Sequence, residues 1–213
     1  MGFIGFRAAL KARFGISKQP KVNDYELSKL SSTVIQTVPK TDFAKYDLVV
    51  VLGGISYATP QFMLDELKSS KAKGLLYSNI FLFLPYNIAW ATAQKYINQI
   101  KGKYNVRNTS LIGFSAGGTD VQQNYNPAYK LVGLIDPSTN ANFASRSYGK
   151  NVRMIYNDAN WTGRYAGIGR SLVKLEGAIN NSGGKAKKVV VRHRSMPKYF
   201  YETYEEQING TKA

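Results

Sequence analysis

Apolar residues in this chain come in two rhythms. Unbroken β-prone runs, such as Leu48-Val49-Val50-Val51-Leu52 and Ile80-Phe81-Leu82-Phe83-Leu84, show no polar alternation. A strand of that kind is covered on both faces, as in a parallel sheet sandwiched between helices. Between the runs, apolar positions recur every three to four residues, as in Ile88, Ala91, Tyr96, Ile97 and Ile100, the spacing of a helix with one buried side. The pattern predicts strands over 32–38, 47–52, 79–84, around Leu111-Ile112, and over 131–135, 152–156 and 187–192. It predicts helices over 60–69, 88–100, 164–180 and 198–208, with a short one ending near Gln123. Pro60 stands where a first helical turn accepts proline, and Gly102 and Ser182-Gly183-Gly184 stand where helices stop. Strand and helix alternate, so the expected fold class is α/β: a doubly wound, mostly parallel sheet with helices on both faces.

In such sheets ligands gather beyond the carboxyl ends of the strands. Gly53-Gly54, Ser115, Asp136, Asp158 and His193 all fall there. The most informative stretch is Gly113-Phe114-Ser115-Ala116-Gly117, which has the G-x-S-x-G spacing of a nucleophile elbow. A serine on so sharp a strand-to-helix turn has close backbone neighbours two residues to either side, where a Cβ would collide. The helix that starts at once aims its free N–H groups and positive dipole end at the place where an oxyanion forms. A serine hydroxyl is a poor nucleophile until a base takes its proton, and histidine is the side chain suited to that near neutrality. His193 is the sole histidine. A carboxylate must then orient the imidazole. Asp158 and Asp136 are the candidates, each ending a predicted strand. Each also has a purely local use, since Asp136-Pro137 initiates a turn and Asn157-Asp158 caps a loop.

With these pieces in place, residues 45–208 resemble the α/β-hydrolase family of serine esterases and lipases. Serine, then aspartate, then histidine is the chain order of that family. The resemblance implies a Ser115–His193–Asp158 triad, because most members carry the acid after the penultimate strand. Asp136 is the alternative, at a position some lipases use. It implies an oxyanion hole from the Ala116 N–H and a second N–H at Gly54 or Ile55, although Leu52-Gly53 stands where many members have His-Gly. Residues 137–151 leave no room for the helical cap of larger members. The expected site is therefore uncapped and open, walled by Tyr57, Tyr86, Asn160, Trp161 and Met196. The implied activity is hydrolysis of a small-molecule or lipid carboxylic ester through an acyl-serine, with no cofactor and no metal.

Composition narrows this further. The 213 residues include no cysteine, which excludes disulfides, thiolate metal sites and a cysteine nucleophile. No phosphate-binding G-x-x-x-x-G-K-[ST] loop is present. No secretory signal or membrane span is expected, and Phe6 stands where an N-myristoylation signal needs serine or threonine. That leaves the cytoplasm or a larger particle as the expected location. The net charge is +16, from 29 basic against 13 acidic residues. Residues 1–22 mix Phe3, Ile4, Phe6, Leu10 and Phe14 with Arg7, Lys11, Arg13, Lys18 and Lys21, a basic amphipathic pattern. The chain thus divides into a basic arm with the first strand, residues 1–44, and a core, residues 45–213. The charge raises a second reading: a hydrolase-fold binding or structural module of a larger assembly, docking through its basic surface onto nucleic acid, membrane or an acidic partner.

Overall fold

The apolar runs that read as doubly covered strands lie at the centre of one sheet. β3 (Tyr46–Leu52) and β4 (Asn79–Leu84) pair in parallel, and every residue of both is buried. The computed structural model describes residues 24–209. Among these, eight strands run in the order β1-β2-β4-β3-β5-β6-β7-β8. β5 (Val106–Phe114), β6 (Val132–Ile135), β7 (Val152–Tyr156) and β8 (Lys185–Lys188) continue the parallel pairing from β3. β1 (Tyr25–Lys29) and β2 (Ile35–Pro39) form an antiparallel hairpin whose second strand runs antiparallel to β4. The strand expected to accompany the N-terminal arm is thus part of the sheet. The basic amphipathic arm itself lies outside the described residues.

Strand geometry sends alternate side chains to opposite faces, and two cores result. Leu48, Val50, Leu52, Ile80, Leu82 and Leu84 face one way. They meet α2 (Trp90–Lys103) and α5 (Ala166–Asn181), with α3 (Gly117–Gln123) adding Val121. Val49, Val51, Phe81 and Phe83 face the other way, against α1 (Pro60–Ser69), α6 (Met196–Thr203) and α7 (Glu205–Asn209). Burying a leucine, valine or phenylalanine side chain is worth about 1.5–3 kcal/mol, so these two layers fix the sheet position of every strand end. α1 begins as its sequence suggests. Thr59 Oγ1 accepts the Phe62 N–H at 3.2 Å, and Pro60 occupies the first turn.

Four local expectations change. β1 is an additional strand that the apolar pattern did not reveal. Residues 71–77 form a 3-10 helix and Ala141–Ala144 a short helix, α4. The run expected as the last strand over 187–192 pairs across Lys185–Lys188, the Val189 N–H still donates to the Tyr156 carbonyl at 2.8 Å, and the chain then leaves the sheet, Val190 being 97% exposed. The helix expected over 198–208 is two helices, with a break at Tyr204 between α6 and α7. Among the described residues no helix is long and apolar enough to cross a membrane.

Candidate active site

β5 ends in the elbow. Ser115 has φ of 54°, in the left-handed region that a non-glycine residue enters only when its surroundings hold it there. Its N–H donates to the Ile135 carbonyl at 2.9 Å, and its own carbonyl accepts from Ser138 at 2.8 Å and Gly118 at 3.0 Å. The flanking glycines are required by contact. A Cβ on Gly113 would run into the Gly117 carbonyl oxygen, and one on Gly117 into the carbonyl oxygens of Gly53 and Leu52. α3 is thereby drawn against the loop that follows β3.

One strand over, β6 ends at Asp136, also left-handed at φ of 40° and fully buried. A buried carboxylate needs partners, and Asp136 has four. Its Oδ2 lies 2.5 Å from His193 Nδ1 and accepts from Asn160 Nδ2 at 2.7 Å. Its Oδ1 accepts from the Asn157 N–H at 3.0 Å and from Trp161 Nε1 at 3.1 Å. A carboxylate only accepts, so Nδ1 is the donor and Nε2 is the nitrogen left for a second partner. The ring is fixed on two sides: Phe114 lies 4.7 Å away centroid to centroid, and Trp161 meets it edge-on at 5.3 Å. The side-chain amides of Asn157 and Asn160 both reach the Val191 carbonyl, at 3.2 and 3.3 Å, which ties the loop carrying His193 to the end of β7. Phe114 immediately precedes Ser115 in the chain, and no hydrogen bond joins His193 to Ser115 among the described residues.

This arrangement corrects the preferred acid. Asp158 is not the partner of His193. It forms an ion pair with Lys188 of β8, at 2.8 Å. Asp136, the alternative, holds the imidazole. The expected walls change as well. Asn160 and Trp161, both half-buried, donate to Asp136, and Met196, the first residue of α6, is fully buried in the core. Tyr57 and Tyr86 are exposed, as an open site requires. Tyr57 lies under the Arg194 guanidinium at 5.6 Å. Tyr86 lines a cavity of about 480 Å³ together with Gly54 and Ile55.

The loop after β3 supplies the remaining N–H groups. Gly54 is pressed against the elbow, since a Cβ there would stand 2.9 Å from Ser115 Cβ. Its N–H, however, donates to the Ala58 carbonyl at 2.9 Å and closes a turn in which Ser56 is left-handed. Of the two expected donors in this loop, Ile55 is the one whose N–H has no backbone acceptor among the described residues. Ala116, just before α3, likewise has a free N–H. Asp120 in α3 accepts the Asn87 N–H at 3.3 Å and anchors the loop after β4. Burial pushes its carboxyl up, and that hydrogen bond opposes the shift. Among the described residues, no group of three or more histidine, aspartate or glutamate side chains is placed to hold a metal ion.

The overall fold is shared with solved structures. The chain matches an IroE-like serine hydrolase from Shewanella oneidensis at a TM-score of 0.60 and 11% identity, over 83% of this chain and 78% of that one. The chain has the α/β-hydrolase fold. The siderophore hydrolase EstB from Aspergillus nidulans matches at a TM-score of 0.57 and 11% identity, over 89% and 95% of the two chains. An uncharacterised protein from Capnocytophaga ochracea matches at 0.58 and 10% identity, over 87% of this chain, which spans 64% of that one. No family model matches the sequence, and no curated protein does either. As an α/β-hydrolase fold it is a small one. The connection from β6 to β7 carries only the four-residue α4, and no cap domain is evident.

Proposed function

We propose that this protein is a serine hydrolase that cleaves carboxylic esters through an acyl-Ser115 intermediate. What supports this reading is the Asp136–His193 hydrogen bond together with a left-handed serine at the head of a helix, both at the carboxyl end of the sheet. Ser115 Oγ attacks the ester carbonyl carbon while His193 Nε2 takes its proton, and Asp136 orients the ring and stabilises the imidazolium. The N–H groups of Ala116 and Ile55 receive the charge that develops on the carbonyl oxygen. The bond from the carbonyl carbon to the alkoxy oxygen then breaks, and the alcohol departs with the proton from His193. Water gives a proton to His193 and attacks the acyl carbon. Ser115 Oγ leaves with that proton, and a carboxylic acid is released. On this reading the serine–histidine hydrogen bond forms once substrate is bound, since catalytic hydrogen bonds are often long or unmade without it.

A fluorophosphonate probe together with p-nitrophenyl acetate tests the reading. Folded protein should label at Ser115 and turn over the ester. Ser115→Ala should abolish labelling and lower kcat by about 10⁴-fold or more. Absence of labelling, or labelling that survives Ser115→Ala, overturns it.

A further inference from the structure

The cavity of about 480 Å³ lies to one side of Ser115 and is not used by the steps above. It sits within the usual size range of small-molecule sites. Its walls come from the loop after β3, the loop after β4, the start of α1 and the β1–β2 hairpin. All of these belong to the half of the sheet that runs from β5 towards β1, whereas Asp136 and the loop carrying His193 belong to the other half. Gly54 is common to the cavity and the serine, being both a wall residue and the backbone packed against Ser115 Cβ. The apolar lining is Ile35, Ile55, Pro60, Pro85 and Tyr86. Lys29, at the end of β1, is the one charged residue in the lining, with Ser32 and Thr33 of the hairpin beside it. Among the described residues, Lys29 forms no ion pair and no side-chain hydrogen bond.

Chemistry decides which part of an ester enters. The leaving alcohol must collect its proton from His193, so it lies on the Asp136 side of Ser115. The acyl chain extends the opposite way, towards the cavity. We infer that this cavity is the acyl-binding site and that it selects acyl chains ending in an anionic group, a carboxylate paired with Lys29 of the hairpin wall. The inference rests on the serine-hydrolase reading. At about 30 Å³ per water-sized group, the space has room for up to roughly sixteen non-hydrogen atoms, more than a six-carbon diacid chain needs. An ammonium with no ion pair among the described residues is available to the chain end, and the five apolar side chains hold the methylenes before it.

Two measurements test this. In the first, the mono-p-nitrophenyl ester of adipic acid is compared with p-nitrophenyl hexanoate. The anionic ester should be preferred in kcat/KM by about five- to tenfold, the worth of one partly exposed charged hydrogen bond. Lys29→Gln should bring the ratio to about one and Lys29→Glu should reverse it, with p-nitrophenyl acetate turnover unchanged in both. In the second, binding of monomethyl adipate and of methyl hexanoate to the Ser115→Ala protein is measured directly, with Lys29 intact and as Lys29→Gln. Tighter binding of the anionic ester that disappears with Lys29→Gln supports the assignment. Equal binding of the two esters, or a preference that survives Lys29→Gln, overturns it, whatever the catalytic rate. Failure of acetate turnover and of Ser115 labelling would instead count against the hydrolase reading, which the binding measurement does not require.

Discussion

At the scale of single residues, the site is built from backbone held where side chains rarely allow it. The four non-glycine residues with positive φ among those described are Ser56, Asn87, Ser115 and Asp136. They follow β3, β4, β5 and β6 in turn, so one edge of the sheet holds all four. Such conformations cost about 1–3 kcal/mol each and persist only where surrounding contacts fix them. The carboxylate assignment makes a direct prediction. Asp136→Asn should reduce kcat/KM by about 10³–10⁴-fold, the cost of losing the correct imidazole tautomer. Asp158→Asn should stay within about threefold of wild type, because its partner is an exposed lysine. Ester hydrolysis by the two variants, with circular dichroism to confirm folding, checks both. The serine and histidine were legible because each sits in a spacing that the chemistry dictates. The acid was not, because β6 and β7 lie side by side and both end in aspartate. What separates them is burial and four converging donors, and those donors come from residues 157, 160, 161 and 193. One signal was present in the sequence: Asn157, Asn160 and Trp161 form a cluster of hydrogen-bond donors one strand away from Asp136.

At the scale of elements, the continuous apolar runs at the centre of the sheet were read correctly and the two edges were not. β1 reads Tyr-Glu-Leu-Ser-Lys, with four of its five residues exposed, so no pattern of burial marks it as a strand. It exists because the hairpin turn delivers it to β2. At the other edge, Val189-Val190-Val191 carries the sequence signature of a strand while the pairing falls on Lys185–Lys188. The valines are needed elsewhere. They carry the chain off the sheet edge towards Phe114 and Asp136, where His193 must arrive. The split of the last helix also follows from packing, since Phe200, Tyr201 and Ile208 all enter the same core. Within α6, Tyr201 is fully buried and its hydroxyl has no hydrogen-bond partner among the described residues. Burial pushes this phenol well above its ordinary value. An unpaired buried hydroxyl costs about 1–3 kcal/mol. Tyr201→Phe should therefore raise unfolding stability by about 1 kcal/mol, read from denaturant midpoints at constant slope.

At the scale of the whole molecule, the end of the sheet opposite the site is closed by charge. Asp47, 2% exposed at the start of β3, accepts from Arg107 at 2.7 Å, Lys130 at 2.6 Å and Asn108 at 3.1 Å. Lys130 also donates to the Ile208 carbonyl at 2.8 Å, which joins α7 to the sheet. Burial alone would raise the Asp47 carboxyl, but the hydrogen bonds from Arg107 and Lys130 outweigh it and hold it below its ordinary value of 3.8. A carboxyl depressed in the folded state adds stability above its unfolded value, and that stability is lost as pH falls through the folded one. Unfolding free energy should therefore decline as the pH drops below about 4, the region of an unperturbed aspartate. Asp47→Asn should be less stable at neutrality by about 2–4 kcal/mol, having stranded Lys130, and should show a flatter acid limb in urea titrations across pH. The short passage from β6 to β7 has a kinetic counterpart. With only a four-residue helix there, no flap among the described residues is placed to swing aside at an oil–water boundary. Turnover of a sparingly soluble ester should then follow a single saturation curve through the concentration at which the ester forms droplets, with neither a lag nor a jump in rate.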